Sequence, residues 1–196
     1  MIVRVGVEAD ARAAATLHAS QIAEGFLSSL GVPFLSLLYR RVVRWPRSFL
    51  LVASSEHDET DVVGVLGAAE DTGALYKTFL VHDGVRATAR NAPRLLRSIG
   101  RIVETLRYPA QTEDDELPEA EILSVAVAAH AHGRGIGRAL LDAAVAEFAS
   151  RGIDRVKVVT TAGNEPARRL YASAGFEIAR DVTVHAGTRS VVFAGP

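Results

Sequence analysis

Three glycines at alternate positions, Gly133, Gly135 and Gly137, have the spacing in this chain that most suggests chemistry. They follow an apolar, β-branched run, Ile122 to Val127, and they open a segment whose apolar residues recur at helical spacing. Residues without a Cβ let the backbone approach an anion closely, and the first N–H groups of a helix point at it together with the helix dipole. A strand, a glycine-rich turn and a helix in this order therefore predict a phosphate-binding site.

Two common nucleotide-binding turns fit this stretch poorly. A dinucleotide turn carries G-x-G-x-x-G early in its fold and an acidic residue after the next strand. Here the pattern is G-x-G-x-G, it lies late in the chain, and Asp154 precedes the next predicted strand. A P-loop ends in Gly-Lys-Ser/Thr, which this turn lacks. A glycine turn that serves only tight packing remains the alternative at this point.

A second constellation follows the glycine-rich segment. Asn164 is placed to cap a helix, with Glu165 in the first turn and Pro166 where a missing N–H is tolerated. Tyr171 lies on the apolar face of this helix, and Gly175 ends it. By periodicity alone Tyr171 is a core aromatic residue.

The composition argues against several classes of protein. The 23 acidic and 22 basic residues nearly cancel, so no bulk field favours nucleic acid or an anionic membrane. The absence of cysteine excludes disulfides, thiolate metal sites and a cysteine nucleophile, and it fits a reducing cytosol. The N-terminus does not read as a secretory signal, and no apolar run approaches the roughly 18 residues of a membrane span. We therefore expect a soluble, cytoplasmic protein with a single domain over residues 1–196.

The first third of the chain predicts a strand, two helices and a hairpin. A strand over Ile2–Val5 precedes a helix that follows Asp10, and Gly31 and Pro33 break the apolar segment Phe26–Trp45 into a loop and a helix. The hairpin strands are Phe49–Ala53 and Val62–Ala68, in which Gly64 and Gly67 mark bulges or close backbone contacts. The later predicted strands are Val156–Thr160, Phe176–Val184 and Ser190–Phe193. This order predicts a mixed α/β domain with one central sheet.

The segment between the hairpin and the glycine turn leaves alternatives open. A helix that starts near Asn91 and Pro93 carries a stripe of arginines, which is either a solvated face or a docking surface for an acidic partner or a subunit. The acidic run Glu113–Glu116 is either a solvated loop or a lip that attracts a cationic amine.

Three runs of the sequence together resemble the GNAT superfamily of acyl-CoA-dependent N-acyltransferases. They read SVAV, H-G-R-G-I-G-R-A-L-L and N-E-P-A-R-R-L-Y-A-S-A-G-F-E, and the resemblance covers about residues 119–177. It implies the GNAT fold, which is a central mixed, mostly antiparallel sheet flanked by helices, with a splayed strand pair that holds coenzyme A (CoA).

The resemblance also implies which residues bind acetyl-CoA, the acyl donor. Backbone amides from Gly133 to Arg138 would bind the pyrophosphate, and the strand Val125–Val127 would lie along the pantetheine arm. Asn164 matches the family's cofactor-contacting asparagine, and Tyr171 matches the tyrosine beside the sulfur. The full predicted set is Val125, Ala126, Val127, His132, Gly133, Arg134, Gly135, Ile136, Gly137, Arg138, Asn164 and Tyr171. Because His132 stands where the family has Arg or Gln, its side chain either donates to phosphate or has no role.

Two residues are predicted to be catalytic. Tyr171 is the candidate general acid for the departing thiolate, and a backbone amide near Val127 would stabilise the oxyanion. Glu121, six residues before Val127, resembles the general-base glutamate of the histone-acetylating branch. A solvated strand-end carboxylate is the alternative for Glu121. Glu119 is the neighbouring candidate, and we expect it on the same strand face.

The sequence thus predicts an enzyme that moves acetyl from acetyl-CoA to a primary amine by direct attack in a ternary complex, since no cysteine offers a covalent intermediate. The acceptor stays open among small amines, amino sugars, peptide N-termini and lysine. A non-catalytic acyl-CoA-binding sensor on the same fold is the competing hypothesis. No metal site is predicted, because the paired His130 and His132 lie in the CoA turn. The expected partner is a small-molecule or peptide amine, without nucleic acid or membrane, and a homodimer is left open.

Overall fold

The computed structural model describes residues 1–22, 26–55, 58, 60–84, 117–184 and 188–196. The strands are β1 (Ile2–Val5), β2 (Ser48–Ser54), β3 (Val62–Ala69), β4 (Glu121–Val127), β5 (Val156–Thr161), β6 (Glu177–Val184) and β7 (Thr188–Gly195). The helices are α1 (Ala11–Gln21), α2 (Phe26–Ser29), α3 (Gly31–Arg44), α4 (residues 72–84), α5 (Ile136–Ser150) and α6 (Glu165–Ser173). The arginine-striped helix and the acidic run predicted from the sequence lie outside the described residues.

The seven strands form one sheet in the order β1-β2-β3-β4-β5-β7-β6. Every pair is antiparallel except β4–β5, so the predicted mixed, mostly antiparallel sheet is confirmed. The parallel pair is joined only at Glu121↔Lys157 and Ile122↔Val158. Beyond Ile122 the two strands separate, which is the splay that the family resemblance implies.

Helices cover both faces of the sheet, and each face has its own hydrophobic core. On one face Leu140 and Phe148 of α5 pack against Leu66 of β3 and Val158 of β5. The other face belongs to α1 and α3, where Ala15 and Tyr39 pack against Val52 and Val65. A strand buried on both faces needs apolar residues at successive positions, as in the continuous run of β2.

Two glycines of β3 serve the purposes expected of them. A Cβ on Gly64 would lie 2.7 Å from Cγ2 of Ile136, so the missing side chain lets the first turn of α5 pack directly on the strand. Gly67 lies beside a β-bulge, because the β3–β4 register shifts between Gly67 and Ala68. The bulge adds Leu123 to β4 without a partner on β3.

One predicted boundary differs from the structure. The apolar segment before Trp45 was expected to break at Gly31 and Pro33, but α3 begins at Gly31 and the break falls just before it. Pro33 lies in the first helical turn, where its missing N–H has no intrahelical partner to lose. Among the described helices, none combines the length and the apolar character that a membrane crossing requires.

Candidate active site

The glycine-rich turn leads from the one-turn helix Ala129–Ala131 into the N-terminus of α5. Gly133 has φ +75° and Gly135 has φ +76°, a backbone conformation that favours glycine. The first N–H of α5 that donates along the helix is that of Ala139, which donates to the Gly135 carbonyl. The amides from Ile136 to Arg138 are therefore those that a helix N-terminus leaves for an anion.

A Cβ added to Gly133 or Gly135 would meet no atom within 4 Å. The space above the turn is consequently open, and these glycines are not required by packing. This observation counts against a turn that serves only tight packing.

The free edge of β4 continues the same surface. The Ala128 N–H donates to the Val63 carbonyl across the β3 edge at 2.8 Å. In an antiparallel pair the residues that bond the neighbour alternate with residues that point the other way, so Val125 and Val127 direct N–H and C=O away from β3. Both therefore face the splay between β4 and β5, while the side chain of Ala126 is buried in the core of the α1 and α3 face.

His132 makes a contact that its sequence position did not predict. Its Nε2 lies 2.8 Å from the Val127 carbonyl oxygen. Because a carbonyl only accepts, Nε2 carries the proton, and the neutral ring then has no second N–H to offer to a phosphate. His132 thus occupies a backbone acceptor at the open edge of β4, whereas an Arg or Gln would bring further donors.

The other predicted cofactor residues lie at the N-terminus of α6, on α5 and in the glycine turn. Asn164 caps α6 as expected, its Oδ1 accepting from the Ala167 N–H at 3.2 Å, which leaves its NH2 group to donate elsewhere. The Arg138 guanidinium donates to Asp142 and to the Ser173 carbonyl, so its side chain joins α5 to α6. The exposed Arg134 lies in the glycine turn itself.

Tyr171 lies on α6 with its ring against Phe176 and Phe193, at centroid distances of 6.3 and 5.7 Å. Only 5 % of the residue is exposed, and burial raises its pKa. The hydroxyl consequently stays protonated across the working pH range and can donate a hydrogen bond or a proton. In the described part of the chain no residue hydrogen-bonds to this hydroxyl, and it is not among the fully buried atoms without a partner.

Glu121 is half-buried at the start of β4. Thr72 of α4 donates to its Oε2 at 3.0 Å, and Lys157 lies opposite on β5. Burial raises the pKa of Glu121, while Lys157 and the Thr72 hydrogen bond lower it. The expectation for Glu119 was wrong, since β4 begins at Glu121 and Glu119 is an exposed residue before the strand.

The bulge at Leu123 brings together residues that simple alternation would separate. Glu121 contacts Thr72 of α4, and Ser124, three residues later, contacts Tyr39 of α3 on the same face of the sheet. Tyr39 also bonds His18, so a buried polar cluster lies under this part of β4. Sequence reasoning missed it, because single polar residues on four elements have no common spacing.

No metal centre accompanies these groups in the described ranges, where no cluster of three or more His, Asp or Glu side chains is found.

Comparison with known proteins identifies the family. The profile of the Acetyltransferase (GNAT) family matches residues 19–176. The chain belongs to this family of acetyltransferases, which use acetyl-CoA as donor. The mycothiol acetyltransferase of Thermobispora bispora is 42 % identical over 67 residues, which is 34 % of this GNAT chain and 23 % of that protein. The chain spans less than a quarter of the length of each curated relative it matches.

Solved structures with little sequence identity share the fold. A GCN5-related N-acetyltransferase from Kribbella flavida superposes with a TM-score of 0.65 at 18 % identity, covering 100 % of this chain and 96 % of that one. The ribosomal-protein-alanine N-acetyltransferase from Brucella melitensis gives 0.63 at 17 % identity, covering 99 % and 98 %. These likenesses establish the GNAT fold.

Proposed function

We propose that this GNAT protein transfers acetyl from acetyl-CoA to a primary amine by direct attack in a ternary complex. The observation that carries the proposal is the meeting of two backbone surfaces at one opening. The free edge of β4 at Val125 and Val127 runs into the open turn over Gly133 and Gly135. We also propose that residues 1–196 form one domain.

The backbone arrangement fits CoA over its length. The amides from Gly133 to Arg138 bind the pyrophosphate, with the dipole of α5 adding to the attraction. The strand from Val125 to Val127 hydrogen-bonds to the amides of the pantetheine arm, which takes the place that β5 would otherwise have beside β4. Asn164 donates to the cofactor from its NH2 group. His132 contributes through the Val127 carbonyl and donates to phosphate only when it is protonated.

The chemistry uses groups on β4 and α6. The Val125 or Val127 N–H stabilises the oxyanion of the thioester, and the Tyr171 hydroxyl donates to the departing sulfur. Glu121 takes a proton from the acceptor ammonium. Its raised pKa supports this role, because a base works best when its pKa is near the working pH.

The acceptor is the least determined part of the reaction. The curated relatives carry the name mycothiol acetyltransferase, so the acceptor of such an enzyme belongs in the panel to be tested. The local match supports no narrower choice than a small-molecule or peptide amine.

The experiment is thiol release from acetyl-CoA across a panel of small amines, amino sugars and peptides. We expect amine-dependent release that Tyr171→Phe abolishes, since phenylalanine keeps the packing against Phe176 and Phe193 and removes only the hydroxyl. Tight CoA binding without turnover on any amine, and without an effect of Tyr171→Phe, would instead identify the non-catalytic sensor.

A further inference from the structure

A hydrogen-bonded chain of three buried side chains leads from β4 to α1. Nδ1 of His18 lies 2.8 Å from the Tyr39 hydroxyl, which in turn lies 2.8 Å from Oγ of Ser124. The three residues are 6 %, 3 % and 7 % exposed. They come from α1, α3 and β4, so the tertiary fold alone brings them into contact. The proposed roles of Glu121 and Tyr171 do not use them.

The strand geometry is built around this chain. A Cβ on Gly67 would lie 3.3 Å from Cε1 of Tyr39 and 3.5 Å from Oγ of Ser124, so the glycine makes room for both. The bulge at Leu123 turns Ser124 toward α3. Ser124 therefore joins Tyr39 immediately before Val125, where the free edge of β4 begins.

The three hydrogen-bonded side chains are uncharged at neutral pH. Burial lowers the pKa of His18 to about 4 and raises that of Tyr39 to about 12. Burial raises the pKa of Tyr76 of α4, and the nearby Glu121 and Tyr39 raise it further. Lys157 of β5 faces Glu121. The described residues of β3 and α2 bring no titratable group to this face.

The far end of the hydrogen-bonded chain is His18, of which 6 % is exposed. Its Nδ1 faces the Tyr39 hydroxyl, and no described residue hydrogen-bonds to its Nε2. A hydrogen-bonded chain with one end beside the reacting strand and an unbonded ring nitrogen at the other has the layout of a proton path.

We propose that Ser124, Tyr39 and His18 relay a proton from the acceptor nitrogen to solvent, an inference that rests on the proposed amine acetylation. An ammonium loses two protons when it becomes an amide. Glu121 takes the first, and the second leaves the attacking nitrogen for Ser124 Oγ as the C–N bond forms. The Ser124 proton passes to Tyr39, the Tyr39 proton passes to His18 Nδ1, and Nε2 releases its proton to solvent.

The protons balance without a redox step. Glu121 and the relay each release one proton to solvent. Solvent restores the one proton that Tyr171 gives to the departing thiolate, so one net proton per turnover reaches bulk water. Rotation of the two hydroxyls and a change of His18 tautomer reset the relay. Ser124 is the member that contacts the acceptor, and Tyr39 and His18 act through it.

The test compares Tyr39→Phe with the parent enzyme in acetyl transfer to the best amine of the panel. Phenylalanine keeps the ring against Gly67 and removes only the bridging hydroxyl. We expect kcat to fall about tenfold or more, below the full ~10²–10⁴ of general acid–base catalysis because water substitutes in part. We expect KM for acetyl-CoA to stay unchanged and kcat to recover as the pH rises. The plot of the parent kcat against the D2O fraction should curve and become linear in the variant.

Two further variants separate the relay from a structural role. Ser124→Ala interrupts the chain at its other bond and should reproduce the loss if Tyr39→Phe folds poorly. Ser48→Ala is the control, since it removes a buried hydroxyl that is not part of the relay and donates to the Val42 carbonyl at 2.7 Å. This variant should lower stability without changing kcat.

Unchanged kcat and pH profiles in both chain variants would overturn the relay and leave the acetyltransferase intact. A linear D2O plot for the parent enzyme would do the same without any variant. A parent protein that acetylates no amine would overturn the relay and the proposed function together.

Discussion

The two sides of β4 are built from different parts of the chain. The side proposed for CoA consists of main-chain N–H and C=O groups at an open strand edge and a glycine turn. The other side consists of side chains from β4, α1, α3 and α4, which include Glu121, Tyr39 and His18. A main-chain surface tolerates many side-chain replacements, whereas a buried polar cluster is sensitive to the loss of one hydroxyl or one proton.

After Tyr171→Phe, the largest effect is expected from Glu121→Gln, on the side of β4 formed by side chains. Glutamine still accepts from Thr72 but cannot take a proton, so kcat should fall by about 10²-fold or more. Because burial raises the pKa of Glu121, the parent rate should rise with pH through a value above the ordinary carboxylate range. In the variant this limb should disappear and higher pH should restore part of the rate, as more acceptor is deprotonated. An unchanged pH–rate profile removes Glu121 from the mechanism.

A second prediction concerns the pH dependence of folding stability, to which His18 contributes through its lowered pKa. Since the folded pKa of His18 is about 4 and the unfolded value is about 6.5, its contribution is intact above pH 6.5 and is lost as the pH falls toward 4. Between pH 7 and pH 5 this amounts to about 2 kcal/mol.

Urea unfolding of the parent and His18→Gln at both pH values checks this prediction. The raised pKa of Glu121 acts in the opposite direction, with stability lost as the pH rises, and it is common to both proteins. The difference between them therefore isolates His18. Equal pH dependence in the two proteins would show that His18 titrates normally in the folded state.

The main-chain side is tested by Gly135→Ala with Gly152→Ala as its matched control. Both glycines have φ +76° and open space at the Cβ position, so each substitution should cost about 1–2 kcal/mol of stability. Only Gly135 lies in the proposed phosphate cradle. The loss of one hydrogen bond to a charged phosphate corresponds to about a tenfold rise in KM for acetyl-CoA. Equal KM values in the two variants would place the phosphate elsewhere.

The smallest effect is expected from substitutions of His132, whose side chain contacts a main-chain carbonyl of the proposed CoA surface. His132→Ala removes one neutral hydrogen bond to Val127, so KM for acetyl-CoA should change less than about fivefold. His132→Arg introduces a permanent charge and should lower KM at neutral pH. A large loss in the alanine variant would mean that this histidine binds phosphate directly.

This division also explains what the sequence could predict. The glycine turn, the Asn164 cap and the strand before them could be predicted, because each depends on the types and spacing of consecutive residues. The splay of β4 from β5 came from the family resemblance, and the structure bears it out. The buried cluster was not predictable, because Thr72, Tyr39 and His18 meet β4 only through tertiary packing and a one-residue bulge. The same bulge defeats the alternation rule, which pairs Glu121 with Leu123 rather than with Ser124.

The most direct measurement of the whole account is a crystal structure of the protein with CoA bound. We expect the pyrophosphate on the amides from Gly133 to Arg138, the pantetheine arm along Val125–Val127 and the sulfur beside Tyr171. Ser124 should then face the acceptor from the opposite side of the strand, with Tyr39 and His18 buried behind it. Coenzyme A bound away from the splay, or with its sulfur remote from Tyr171, would contradict the account.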